Sequence, residues 1–171
     1  MKHFASFPTV EYTVAGQTTD LVDITRRVQF LFPIAQNDFL ASDYQIKDGE
    51  TPQSLAYDFY GDATLDWIIL NSNNMVNPFY DWPLGVNELN NWLTDQFGNP
   101  DVVYLYTLPD GRQFFQTQQN NLQSSGLLTL ATPYTYRDYY GAINEAKRTI
   151  RVIQPNQIST ILNQFNSLIS T

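Results

Sequence analysis

Residues 44–71, YQIKDGETPQSLAYDFYGDATLDWIILN, carry a structural punctuation mark at almost every boundary. That leaves this stretch few ways to fold. Tyr44 and Ile46 alternate with Gln45 and Lys47, the pattern of a short half-buried strand. Asp48-Gly49 is a turn pair, because Gly takes positive φ without steric cost. Thr51 fits a helix N-cap, and Pro52 fits the first helical position, where no amide donor is needed. Leu55, Ala56 and Phe59 then share one helical face. Gly61 suits the left-handed residue that ends the helix. Thr64 is available to cap a second helix, with Asp66 in its positive first turn and Trp67, Ile68 and Leu70 as its apolar side.

This order resembles a LysM module, a small β-α-α-β unit that holds N-acetylglucosamine polymers. The matching residues are Tyr44-Gln45-Ile46, Gly49-Glu50-Thr51, Leu55-Ala56, Phe59, Ile68-Ile69 and Asn71. One function implied by the resemblance is a carbohydrate-binding module for peptidoglycan or chitin. Its shallow groove would lie along Asp48 to Thr51 and Asn71 to Asn74.

The chain has 171 residues, enough for one packed domain or a small domain with extensions. It has no cysteine, so neither a disulfide framework nor a thiolate metal site is open to it. That composition suits a reducing cytosol and also a particle that must survive outside a cell. MKHFASFPTVEYT holds no apolar run of signal-peptide length, and no window approaches the roughly 20 apolar residues that span a bilayer. The expectation is a protein made in a cytosol without targeting, with no membrane partner. Net charge is −8, which disfavours nucleic acid and anionic surfaces. The basic clusters Arg26-Arg27 and Lys147-Arg148-Arg151 read as solvated faces with local ion pairs.

Charge distribution says more than its sum. Gln113 to Tyr136 has no acid or base other than tyrosine, and Val152 to the C-terminus has none. The chain carries 15 Asn and 14 Gln against 26 charged residues, so amides do much of the work that charges do on a free surface. Burying an unpaired charge under a partner costs several kcal/mol, so an uncharged polar surface suits one that is covered. For the QTQQNNLQSSG segment, a weakly ordered polar loop is the other reading.

At the C-terminus, Pro155-Asn156 reads as a helix start with Asn156 as cap. Ile158, Ile161, Leu162, Phe165, Leu168 and Ile169 follow at helical spacing, opposite Gln157, Thr160, Asn163, Gln164, Ser167 and Thr171. Such a helix must dock, either on its own domain or on a neighbour. The uncharged polar face favours a neighbour, and removing everything after Gln154 is then expected to leave the β-α-α-β unit folded.

Elsewhere, Val10, Tyr12 and Val14 alternate into an N-terminal strand ending at Gly16. Leu21 to Phe32 fits a helix through Leu21, Ile24 and Val28, or a strand through Val28, Phe30 and Phe32. Asn73 to Pro83 is a loop rich in Asn, Pro and aromatics. Val86, Leu89, Leu93 and Phe97 mark an amphipathic helix closing at Gly98. Val102–Leu108 and Gln113–Thr117 flank Pro109-Asp110-Gly111 as a hairpin, and Thr149–Ile153 is a short strand. The expected class is α+β: an N-terminal extension with a strand over 1–43, a LysM-like core with an inserted helix over 44–108, a hairpin and polar region over 109–154, and a terminal helix over 155–171.

Candidate catalysis is sparse. His3 is the one histidine, so Ser-His-Asp, Cys-His and histidine-zinc arrangements lack their central residue. Glycine-rich phosphate loops and the D-x-[DN]-x-[DN]-G calcium spacing are absent. Glu50, Asp58, Asp62 and Asp66 offer paired carboxylates, but their places at turns and helix starts suit capping. No enzyme activity, cofactor, metal or small-molecule substrate is expected.

The segment Asn77-Pro78-Phe79-Tyr80-Asp81-Trp82-Pro83-Leu84 departs from an ordinary LysM ending. A helix follows where the second strand should, so a strand such as Val102 to Tyr106 would have to close the unit. With Phe7-Pro8, Tyr12, Asp23-Ile24-Thr25-Arg26-Arg27, Tyr60-Gly61, Trp67 and Lys147-Arg148-x-Ile150, the combination resembles the LysM-like baseplate wedge proteins of T4-type contractile-tailed phages. The resemblance implies a structural subunit of the virion tail baseplate, assembled in the bacterial host cytoplasm, that links neighbouring wedges around the hub. Its implied partners are other wedge proteins, including the wedge scaffold and the sheath-initiating subunit. The candidate partner-binding residues are Phe79, Tyr80 and Trp82 in the loop, and Ile158, Ile161, Leu162, Phe165, Leu168 and Ile169 in the terminal helix.

Overall fold

The computed structural model describes residues 7–26 and 37–169. In chain order it contains strands β1 (Thr9–Val14), β2 (Gln17–Val22) and β3 (Ala41–Gln45), then helices α1 (Pro52–Tyr60), α2 (Asp66–Ser72), α3 (Pro78–Asp81) and α4 (Val86–Phe97). Strands β4 (Val103–Thr107) and β5 (Gln113–Phe115), helix α5 (Gln119–Ser124), strand β6 (Thr132–Thr135), helix α6 (Tyr136–Ala146), strand β7 (Thr149–Ile153) and helix α7 (Ile158–Ile169) follow. This is the expected α+β mixture. The chain forms two compact units: one from the segment up to Trp82 together with Thr149 onward, the other from Pro83–Arg148. His3, Arg27, Val28, Phe30, Phe32 and Thr171 lie outside the described residues.

In the first unit, β3 pairs antiparallel with β7, in the register Ala41↔Ile153 and Tyr44↔Ile150. The expected closing strand, Val102–Tyr106, is corrected by this pairing. Both edges of β4 are taken by β5 and β6 in a separate sheet. β7 supplies the apolar alternation that β3 needs, with Ile150 and Val152 buried. Arg151 ties the register from its side chain, bonding Asp43 at 2.9 Å and Asp38 at 2.8 Å.

Helix α1 starts as anticipated. Thr51 Oγ1 accepts from the Ser54 amide at 3.1 Å, and Ser54 Oγ accepts from the Thr51 amide at 2.9 Å. Gly61, at φ +73°, ends it. The next start is set by Asp62, and Thr64 is not the cap. The Asp62 carboxylate accepts from the Thr64 amide at 2.8 Å and its hydroxyl at 2.7 Å, and the acceptor's charge suits the positive helix end. Helix α2 ends with Asn74 at φ +55°. The Met75 amide returns to the Leu70 carbonyl at 2.9 Å and the Asn74 amide to Asn71 at 3.2 Å, a Schellman ending with Asn in the glycine position.

Both helices and β7 enclose a core to which α7 contributes heavily. Ile158, Ile161, Phe165 and Ile169 are buried there, and Leu162 packs at its margin. The Phe165 ring lies 4.6 Å from Trp67 and 6.1 Å from Phe7, centroid to centroid. The expectation that α7 docks on a neighbour is therefore corrected for its apolar face. A short 3-10 turn, Pro155–Gln157, precedes the helix, and Asn156 does not cap it.

β1 and β2 form a separate antiparallel hairpin joined by Ala15 and Gly16, at φ +51° and +82°. Two positive φ values mark a type I′ turn, which matches the twist of the strands. Leu21 thus sits in a strand and Ile24 in the turn after it, so the helical reading fails over residues 21–26, while Val28, Phe30 and Phe32 lie outside the described residues.

In the second unit, β4 is the central strand of an antiparallel sheet ordered β5-β4-β6. The Pro109-Asp110-Gly111 turn joins β4 to β5 as the sequence indicates, with the Leu108 amide bonded to the Arg112 carbonyl at 2.9 Å. Leu93, Leu105, Leu108 and Leu122 are buried. Beside them Phe97, Tyr136, Tyr104 and Tyr140 stack, with Phe97–Tyr136 centroids 4.2 Å apart. Asn144 closes the unit by pairing both its amide atoms with the Leu84 backbone, at 2.8 and 2.9 Å. The charge-free segment from Gln113 is built into β5, α5 and β6.

Phe165→Ala should cost the first unit about 3–5 kcal/mol in denaturant unfolding. Truncation after Gln154 should abolish that unit's cooperative transition, the reverse of the sequence expectation; an unchanged transition would contradict the packing. In the second unit, the Arg137 hydrogen bond lowers the Asp101 pKa, and the Thr135 amide and hydroxyl lower that of Asp138. Folded carboxylates held below their unfolded value stabilise above the ordinary Asp range, and that contribution is lost as pH falls through their depressed values. Stability should thus decline below about pH 4, and Asp101→Asn should flatten the decline in a Trp92 fluorescence titration.

Candidate protein interface

Helix α3 is a single turn held rigidly at both ends. Asn77 Oδ1 accepts from the Phe79 amide at 3.1 Å, and Pro78 occupies the first helical position. The Asp81 carboxylate reaches back to accept from the Val76 amide at 2.9 Å and the Asn77 amide at 2.8 Å. Trp82 then anchors the segment: its indole is buried and donates to the Glu50 carbonyl at 2.8 Å. A helix this short has no stability of its own. These side-chain bonds supply it.

The rigid turn presents apolar groups to solvent. Phe79 is 88% exposed and Tyr80 75%, with Val76 exposed beside them in sequence. Burying one such side chain is worth about 1.5–3 kcal/mol, so their exposure leaves a substantial association energy unused. Because the backbone is already fixed, little ordering would be needed on docking. Clustered aromatics of this kind are the usual anchors of protein interfaces.

The structure separates the other sequence-chosen residues into two groups. Trp82, Ile158, Ile161, Phe165 and Ile169 are spent on the first unit's own core, and Leu162 is half-buried against it. Leu168 points the other way and is 62% exposed. Sequence reasoning missed Phe39, which is fully in solvent in the turn before β3, where the Asn37 side chain accepts from its amide at 2.9 Å. No periodicity flags an aromatic in a turn; only the Asn-Asp pair before it hints that the chain bends there.

Polar side chains of the two segments named for a glycan groove bond within the first unit. The Glu50 carboxylate accepts from Tyr44 Oη at 2.8 Å and the Lys47 amide at 2.7 Å. Burial, then that bond to Glu50, pushes the Tyr44 pKa up to about 12. The Asn73 amide nitrogen donates to the carbonyls of Ile69 at 2.9 Å and Arg151 at 2.8 Å, while its oxygen accepts from the Arg151 amide at 2.7 Å. Acids proposed as a catalytic pair have structural duties: Asp62 caps a turn, and Asp66 accepts from the Trp67 amide and the Gln53 side chain. The basic clusters form local ion pairs, Arg148 with Glu145 at 2.9 Å and Arg26 with Asp23 at 3.2 Å.

Residues 2–117 match the sequence profile of the family described as Base plate wedge protein 53. The chain is also 24% identical to the baseplate wedge protein gp53 of Enterobacteria phage T4 over 189 aligned positions, covering 94% of this chain and 92% of that protein.

Phe79→Ser and Tyr80→Ser should each change the unfolding free energy of the isolated protein by less than about 0.5 kcal/mol, since neither side chain packs in the core. Asp81→Ala should instead accelerate hydrogen exchange at the Val76 and Asn77 amides. Equal exchange in the two variant classes would contradict the pinned geometry.

Proposed function

The chain belongs to the Base plate wedge protein 53 family, a structural component of phage tail baseplates, and on that premise we propose that it links neighbouring wedges around the hub. The observation that carries this reading is the pinned α3 turn, with Phe79 and Tyr80 held in solvent above a completed core. A rigid body with apolar anchors on α3, on α7 at Leu168 and at Phe39 is suited to gripping more than one neighbour. Each grip then raises the effective concentration for the next, which favours closure of a ring.

In this reading the β3-α1-α2-β7 unit is a LysM-like scaffold turned to protein contact, since a fold does not fix a function. The Trp82 indole on the Glu50 carbonyl and the Asn73 amide on β7 support that turn away from glycan. The partners are other wedge proteins, with the wedge scaffold and the sheath-initiating subunit as the expected ones. The role is assembly without bond-making chemistry, inside the virion tail baseplate, after synthesis in the host cytoplasm.

Complementation of a phage lacking this gene tests the reading. Phe79→Ala with Tyr80→Ala should yield folded protein but few complete baseplates, and purified wild-type protein should not be retained on peptidoglycan. Normal baseplates from the double variant, or specific glycan retention, would overturn it.

A further inference from the structure

The β1–β2 hairpin is the part of the first unit that its own core does not support. All twelve residues of the two strands are exposed, with Tyr12 at 57%. Among the described residues, only the root of the hairpin is fastened. Phe7 is buried, the Asp23 amide donates to the Pro8 carbonyl at 2.8 Å, and Arg26 donates to the Ile169 carbonyl at 3.1 Å. A two-stranded hairpin is marginal in water unless a third strand or a packed face joins it.

The register defines its two faces. Val10, Tyr12, Val14 and Leu21 share one side and are all exposed. Glu11 and Asp20 stand directly opposite each other on the other side. Around a two-residue turn, Val14↔Gln17 is the first hydrogen-bonded pair, so Glu11↔Asp20 falls at a non-hydrogen-bonded position. Side chains approach most closely there; the equivalent Thr13 and Thr18 hydroxyls lie 3.0 Å apart. Two carboxylates at such a site repel and destabilise the isolated hairpin. The same alternation turns the backbone groups of Thr9, Glu11 and Thr13 on β1, and of Thr18, Asp20 and Val22 on β2, outward from the ladder, the Val22 carbonyl alone accepting there from the Ile24 amide at 2.9 Å. Neither strand carries the lysine, proline or bulge with which sheet edges are usually blocked.

We propose that this hairpin is a docking arm that takes up an edge strand of another baseplate protein. That strand bears apolar residues toward Tyr12 and lysine or arginine toward the Glu11–Asp20 pair. A strand satisfies the outward backbone groups, apolar side chains cover Val10, Tyr12, Val14 and Leu21, and a cation between the carboxylates turns repulsion into attraction. A second copy of this chain is a poor match: its net charge is −8, and among the described residues Arg26, Lys47, Arg112, Arg137, Arg148 and Arg151 are already ion-paired. The proposal rests on the reading of the chain as a baseplate subunit and adds a second, independent attachment to the α3 turn.

Hydrogen exchange measured on free protein and on assembled baseplates tests it. Amides of residues 9–22 should exchange about two orders of magnitude more slowly in the baseplate than in the free protein. The Glu11→Lys with Asp20→Lys variant should fold with an unchanged midpoint, because the strands lie outside the core, and should lose that protection. Baseplates that contain the chain while its hairpin exchanges as fast as in free protein would overturn the arm and leave the wedge-linking reading standing. Concentration-dependent protection of the hairpin in purified protein would overturn it in favour of self-pairing.

Discussion

The antiparallel pairing of β3 with β7 is the constraint on which the first unit depends. The two strands are separated in sequence by all of Pro83–Arg148, so the unit closes only after the second one has been synthesised. The entropic cost of closure grows only slowly with the length of the intervening chain, and specific contacts offset it. Asn73 is the most specific of them. Its side-chain amide pairs with the Arg151 backbone in both directions, in the way a neighbouring strand would. It thereby finishes the outer edge of β7 and fixes α2 against the sheet. Arg151 holds the other partner through Asp43 and Asp38, and Tyr60 Oη adds a bond to the Ile153 carbonyl at 3.2 Å.

That closure explains why α7 belongs inside. Once β7 is in place, Ile158 follows within one short turn and the helix drops onto Trp67 and the α1–α2 face. Its uncharged outer side is then a polar surface that a partner could cover without burying charge. The apolar side of α7 is a core, and its uncharged outer side is left for the proposed contacts.

Local chemistry was the legible part of the sequence. Thr51-Pro52, Gly61 and the Pro109-Asp110-Gly111 turn act as their residue types require, because caps and turns are satisfied within a few residues. What could not be read was long-range choice. Val102–Tyr106 and Thr149–Ile153 both look like strands, and only the competition of β5 and β6 for β4 assigns the second to β3. Alternation in Val10, Tyr12 and Val14 marked the strand correctly, yet every residue of that strand is exposed. Alternation reports a side meant for burial, without saying whose surface buries it. The candidate interface divides the same way: Phe79 and Tyr80 are exposed on their pinned turn, whereas Trp82, equally aromatic and two residues on, is the anchor.

In the proposed role, the exposed aromatics of the first unit are covered when the baseplate forms. Hydroxyl-radical footprinting of Phe79 and Tyr80 measures this directly, with the free protein and the assembled baseplate side by side. Fast oxidation of both rings in the free protein and strong protection after assembly are expected, with Trp82 protected throughout. Phe79 and Tyr80 oxidised equally fast in both states would contradict that role.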